Sequence, residues 1–157
     1  MELGLILGIL GAGLAVTLPS IGSAVALSEV GRSAAGLISE EPEKFGKALL
    51  LQVLPGTQGI YGFLAAVLVL QEIGLFGDEA VEVSTSAGWQ ILLACIPITF
   101  AGIISGIFQG KVSVSGISTL AKKPEEAGKA IILSAMVETY AVIALLLTIL
   151  ILNGITV

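Results

Sequence analysis

Glu138 is the residue with the most chemistry to offer, and its surroundings are the least suited to it. It is the one charged residue between Ala130 and Val157. A charge in the middle of a membrane is costly, by estimates from about 2.5 to above 10 kcal/mol, and intramembrane carboxyls default to function rather than structure. Three more oxygen-bearing side chains, Thr57, Gln58 and Gln109, lie within runs that are uncharged and mostly apolar. Leu54, Thr57, Gln58 and Tyr61 follow the i, i+3, i+4, i+7 spacing of a single helix face. Hard cations take oxygen ligands, and one carboxylate balanced by one monovalent ion leaves a loaded site neutral enough to sit in lipid. A proton needs only the carboxyl, so two Gln and a Thr would be surplus polar groups around a proton carrier. Any one of them alone reads equally well as interhelical hydrogen bonding; the set does not.

The elements that must position these side chains are helices. No charge falls from Leu3 to Ser28, from Ala48 to Gln71, or from Val83 to Gly110, and Ala130 to Val157 carries Glu138 alone. Each stretch exceeds the roughly 20 apolar residues that span a bilayer core. The expectation is an all-α integral membrane protein with four transmembrane helices, at about residues 3–38, 43–75, 85–120 and 125–153. Glu138 then lies roughly 18 Å along the fourth helix, near the bilayer centre. Thr57 and Gln58 lie three to four turns into the second helix, and Gln109 about three turns back from the end of the third. All four share one level. Pro19, Pro55 and Pro97 fall inside apolar runs, and each is expected to kink its helix by removing an N–H.

Composition narrows the class independently. Of 157 residues, 55% are hydrophobic and 12% charged, against about 25% charged in soluble domains. A soluble monomer could not cover that apolar surface, and a disordered chain would be more polar. One Cys and no His exclude a disulfide framework and a Cys/His zinc site. A net charge of −5 gives no footprint for nucleic acid. The first apolar run is too long, and too poor in basic residues before it, for a removable signal peptide. No Walker lysine motif is present, and Gly11-Ala12-Gly13 lacks the rest of a dinucleotide fingerprint. ATP hydrolysis and an organic cofactor are therefore not expected of this chain.

Three polar links join the helices: residues 39–43, the region 74–86, and residues 121–125. All seven basic residues flank the first and third links, and none lies near the second link or the termini. The positive-inside rule puts those two links in the cytoplasm and both termini outside. The chain also repeats itself. Pro42-Glu43-Lys44-Phe45-Gly46-Lys47-Ala48 matches Pro124-Glu125-Glu126-Ala127-Gly128-Lys129-Ala130 at five of seven positions, at an offset of 82 that carries Ser23 onto Ser105 and Thr57 onto Thr139. Two tandem helical hairpins are expected, residues 1–78 and 79–157, in the same orientation. Glu138 stands where the first copy has Gly56, so one ionisable site serves four helices. Other features read more plainly. Gly4, Gly8 and Gly11 allow close helix contact, Cys95 packs, Thr139 and Tyr140 point off the site face, and Glu29 is expected to pair with Arg32 one turn on. A second ion site at Glu29 is a weaker alternative.

Leu54-Pro55-Gly56-Thr57-Gln58-Gly59-Ile60-Tyr61-Gly62, Gln109-Gly110-Lys111 and Val137-Glu138-Thr139-Tyr140-Ala141 together resemble the rotor-ring proteolipids, the K-type ring components, of V-type sodium ATPases. The resemblance runs the length of the chain. It implies that identical subunits close into a ring in a prokaryotic cell membrane. It also implies that Na+ is held by the Leu54 carbonyl, Thr57, Gln58, Gln109 and Glu138, with Tyr61 hydrogen-bonded to the glutamate. The partners it implies are a stator membrane subunit bearing an arginine, a central stalk, a soluble ATPase head, and lipid. Two alternatives remain: a ring of the same architecture that carries protons, and a small four-helix secondary transporter.

Overall fold

In a computed structural model, which describes residues 3–77 and 81–156, every regular element is helical. The chain runs α1 (Leu3–Glu40), α2 (Phe45–Val53), α3 (Thr57–Glu72), α4 (Thr85–Ala94), α5 (Ile96–Lys122) and α6 (Ala127–Leu152), with short 3-10 turns at Pro42–Lys44, Leu54–Gly56 and Pro124–Glu126. These merge into four apolar spans, Leu3–Glu40, Pro42–Glu72, Thr85–Lys122 and Pro124–Leu152, long and apolar enough to cross a membrane. The expected hairpin boundary between residues 78 and 79 lies outside the described residues.

The prolines explain why four spans are six helices. Pro55 lacks an N–H, so the helix tightens into a 3-10 turn over Leu54–Gly56 before restarting at Thr57. Pro97 acts on the turn before it. Its missing N–H leaves the Leu93 carbonyl to the Cys95 amide, which is shared among the Ile91, Leu92 and Leu93 carbonyls, and the helix breaks at Cys95. Pro19 differs, because α1 stays helical through it. Pro42 and Pro124 open the first turns of spans two and four, where a missing N–H is harmless. Ser84 caps α4 by accepting from the Ala87 amide at 3.1 Å. Span two ends at Glu72, three residues short of the expectation, and Gly74 then turns the chain at φ 74°, a left-handed conformation suited to glycine.

Spans one and three lie against each other, with span two on α1 and span four on α5. Small residues make this approach close. A Cβ on Gly22 would stand 2.6 Å from the Ile103 carbonyl oxygen, and one on Gly110 would stand 2.6 Å from Ala26 Cβ. The ring of Pro19, buried at this seam, presses on Gly62 and Gly102. Gly4, Gly8 and Gly11 are buried against the second link, Ile73 and α4, as their size suggests. Cys95 is buried in the same core. The outward faces of α3 and α6 carry exposed apolar side chains such as Phe63, Ile132, Leu133 and Leu150, which suits lipid or a neighbouring copy.

The first and third links meet at one end of the bundle. Lys44 Nζ pairs with Glu41 at 2.6 Å and donates to the Ala121 carbonyl at 3.0 Å, while Lys47 Nζ donates to the Pro124 carbonyl at 3.0 Å. A cation at the last carbonyls of α5 is favourably placed in its dipole. The second link and the C-terminus share a cluster at the other end, through Ile73, Val83 and Ile155. Glu29 and Arg32 do not pair as expected. Both are solvent-accessible, and the two ion pairs among the described residues are Lys44–Glu41 and Lys129–Glu126. Each is solvated on its own, and an exposed pair returns little for the side-chain freedom it loses.

Two alanine substitutions test the close seam. Gly22→Ala forces α1 away from α5 and is expected to destabilise the protein by about 1–3 kcal/mol. Gly36→Ala meets nothing within 4 Å and should stabilise by up to about 1 kcal/mol through helix propensity alone. Thermal unfolding in detergent reads both, and equal effects of the two variants would refute the packing assignment.

Candidate ion-binding site

Three helices from both hairpins bring the site together. Gln58 is the second residue of α3, held at its depth by the helix restart that Pro55 imposes. Gln109 lies on α5 and Glu138 on α6. Gln58 and Gln109 are both 0% exposed, so water cannot satisfy either carboxamide. They satisfy each other: Gln58 Nε2 donates to Gln109 Oε1. Gln109 Nε2 in turn donates to Glu138 Oε2 at 3.4 Å. The other carboxylate oxygen, Oε1, accepts from the Tyr61 hydroxyl on α3. Glu138 is thus gripped from two neighbouring helices, and what remains open is a shallow depression lined by Ala135, Glu138, Thr139, Val142 and Ile143.

Thr57 and Leu54 form a second, smaller group beside this one. The Thr57 hydroxyl donates to the Leu54 carbonyl at 3.0 Å, and the Thr57 amide closes the 3-10 turn on the same oxygen. The Thr57 side chain adjoins the Tyr61 hydroxyl and makes no hydrogen bond to the carboxylate. The 3-10 turn leaves the Leu54 carbonyl partnered inside its own turn. Neither Thr139 nor Tyr140 bonds the carboxylate: Thr139, at the edge of the depression beside Glu138, bonds its own helix at the Met136 carbonyl, and Tyr140 is 69% exposed.

The donor set suits a hard monovalent cation. Gln58 Oε1 is a buried carbonyl oxygen with no hydrogen-bond partner. Leaving such an acceptor unmet costs about 1–3 kcal/mol, and a cation removes that penalty. Among the described residues, only the hydroxyls of Thr99 and Thr148 share this state. Each lies ten residues from Gln109 or Glu138, about 15 Å along its helix. The Gln109 carbonyl oxygen keeps a second lone pair after accepting from Gln58. With the carboxylate, these are oxygens from three helices around a single charge.

Sequence reasoning did not assign a role to Ser105, Ser113 or Ser134. Ser105 accepts from Gln58 Nε2 at 3.1 Å and donates to the Val137 carbonyl at 3.0 Å. Ser113 and Ser134, both fully buried, bond each other at 2.7 Å. The pair sits one turn beyond Gln109 on α5 and one turn before Glu138 on α6. A signal was available in the spacing, since Ser105, Gln109 and Ser113 recur every four residues along one face of the helix. The duplicated positions also meet in the first hairpin. Leu27 and Gly56 stand where Gln109 and Glu138 stand in the second, and a Cβ on Gly56 would lie 3.6 Å from the Leu27 side chain. The first copy therefore keeps the contact without its polar atoms.

Comparison with known proteins places the chain in a family. The model of a family described as the C subunit of ATP synthase matches the chain twice, at residues 10–69 and 92–151. The V-type sodium ATPase subunit K of Enterococcus hirae is 45% identical over 152 residues, 96% of this chain and 94% of that protein. The A-type ATP synthase subunit K of Methanocaldococcus jannaschii is 39% identical over 151 residues, 96% of this chain but 64% of its own length. The 16 kDa proteolipid of the V-type proton ATPase of Nephrops norvegicus is 26% identical over 117 residues, covering 74% of this chain and 71% of that protein. Matched twice along its length, and alike almost end to end to a relative of the same size, this four-span chain belongs to the family of ATP synthase C subunits.

Proposed function

We propose that the chain is a rotor-ring subunit of a rotary V-type ATPase, and that it binds and translocates Na+ at Glu138, Gln109, Gln58, Thr57 and the Leu54 carbonyl, with Tyr61 orienting the glutamate. The observation that carries this reading is the unpartnered Gln58 Oε1 beside a Gln109–Glu138 contact. A proton site needs no such oxygen. Similarity to a sodium ATPase subunit across almost the whole chain supports the same ion. Membership in a family of oligomeric ring proteolipids supports the ring.

Binding one Na+ neutralises Glu138, so a loaded subunit can face lipid as the ring turns. At a stator membrane subunit, an arginine loosens the ion and receives the bare carboxylate. ATP is hydrolysed in a soluble head and drives the ring through a central stalk. The chain itself binds, neutralises and releases the ion. It sits in a prokaryotic cell membrane with the links at 39–43 and 121–125 in the cytoplasm, where they offer the stalk its docking surface, and both termini outside. The two links lie side by side at the end that carries the basic residues, which supports this orientation.

A second reading, a proton-carrying ring, is favoured by the similarity to a proton ATPase proteolipid. Sodium-dependent protection of Glu138 from a carboxyl-modifying carbodiimide separates the two, since a proton ring gains no protection. Co-purification with a soluble ATPase excludes a secondary transporter.

Three outcomes are expected. Glu138→Gln keeps the shape and deletes the charge; the ring assembles, while ion transport and transport-coupled ATP hydrolysis are lost. Near-normal sodium pumping by this variant would sink the assignment. Gln109→Leu deletes one oxygen, and by analogy with an unmet buried hydrogen bond it weakens sodium roughly five- to hundredfold. Labelled-sodium binding per chain measures it, and a wild-type affinity would reduce Gln109 to interhelical glue. Protons and sodium compete for one carboxylate, so sodium affinity falls with falling pH, by about tenfold per unit once the carboxyl is mostly protonated. A sodium affinity that added protons do not lower at any pH where the ring stays assembled contradicts a shared ligand.

A further inference from the structure

We propose that Ser105 is the positioning residue that fixes which end of the Gln58 carboxamide faces the ion, and so tunes the site for a metal cation over a proton. This rests on the reading of Gln58 as a sodium ligand given above and adds to it a residue that touches neither ion nor carboxylate.

The available hydrogens decide the orientation. A serine hydroxyl has one proton to donate, and Ser105 commits it to the Val137 carbonyl at 3.0 Å. Towards Gln58, 3.1 Å away, Ser105 can only accept. That turns the Gln58 NH2 towards α5, where Ser105 and Gln109 stand. A second constraint acts in the same sense. An ionised carboxylate accepts only, so Glu138 draws the Gln109 NH2 towards itself, and Gln109 Oε1 is left to accept from Gln58. Both hydrogens of the Gln58 NH2 are thereby used, one on Ser105 and one on Gln109. Oε1 is the remaining end, buried and unpartnered. Without Ser105, only one of the two hydrogens is held, and the flipped carboxamide would aim two N–H groups at a cation.

The first hairpin gives an internal comparison. Ser23, the counterpart of Ser105, accepts instead from the Gly59 amide at 3.0 Å. The counterpart of Gln58 is Tyr140, which is exposed. The repeated serine therefore has no carboxamide to orient in the copy that lacks the carboxylate.

The test is labelled-sodium binding to the purified oligomer of wild type, Ser105→Ala, Gln58→Leu and the double variant. Carbodiimide labelling of Glu138 against pH, without sodium, runs alongside. Ser105→Ala is expected to weaken sodium roughly tenfold and to leave the labelling profile unchanged, because a proton needs only the carboxyl. In the Gln58→Leu background it should have no further effect, since no carboxamide remains to orient. If Ser105→Ala weakens sodium equally in both backgrounds, or shifts the labelling profile, Ser105 acts through packing and the proposal fails. A wild-type affinity in Ser105→Ala, with Gln58→Leu weakened, also overturns it. An unchanged affinity in Gln58→Leu overturns the ligand assignment itself. Should Ser105→Ala not assemble, Ser105→Cys, which keeps the volume and weakens the acceptor, is read by the same criteria.

Discussion

The structure is organised around one acceptor-only charge placed where water does not reach freely. Glu138 must be met by donors, and the protein meets it from two helices, with Tyr61 on α3 and Gln109 on α5. Each donor then needs its own partner. Gln109 turns to Gln58, and Gln58 to Ser105. The polarity of the buried network is therefore set from two ends, by the carboxylate and by the Ser105 hydroxyl committed to the Val137 carbonyl. A network of this kind is costly if half satisfied and specific if complete. Here it is complete except for one carbonyl oxygen, that of Gln58, and the proposed cation would meet it.

Such a network requires helices close enough for short side chains to bridge them, and the glycine seam between spans one and three provides that. Gly22, Gly106 and Gly110 let the α1 and α5 backbones approach within contact, so α3 and α6 can both reach α5. In lipid no hydrophobic force draws helices together, and close packing of small residues takes its place. The Pro55 turn serves the same end, since it restarts the helix at Thr57 and brings Gln58 and Tyr61 to the level of Glu138. At the basic end, Lys44 and Lys47 fasten one link to the other, so the two hairpins are tied where their links meet.

Duplication made the architecture and divergence made the site. Both hairpins keep a contact between equivalent positions, Gln109 with Glu138 in one and Leu27 with Gly56 in the other. One copy bears polar atoms and the other none. Four spans thus carry one mid-span carboxylate and one desolvation cost, half of what two active copies would impose. The donors nevertheless come from both hairpins, since Gln58 and Tyr61 belong to the first. The apolar copy contributes through its second span.

The sequence by itself determined the membrane class, the four spans and the lone carboxylate, because hydropathy and charge are local properties that bilayer thickness reads directly. It also brought Thr57, Gln58, Gln109 and Glu138 to one depth, since helical rise converts residue number into height. It did not resolve azimuth. Rotation about each helix axis decides which residues at one height meet, and that depends on packing between helices far apart in sequence. For this reason Ser105 was visible only as a repeat position. Thr57, at the right depth, bonds the Leu54 carbonyl rather than the carboxylate. Glu29 and Arg32, at pairing distance along α1, stay apart because solvent competes. Each proline's effect was likewise tertiary: Pro19 lies within an unbroken helix against Gly62 and Gly102, while Pro55 and Pro97 interrupt theirs. What only the tertiary structure decided is direction, namely which end of each carboxamide meets which helix. That follows from hydrogen-bond partners on three different helices.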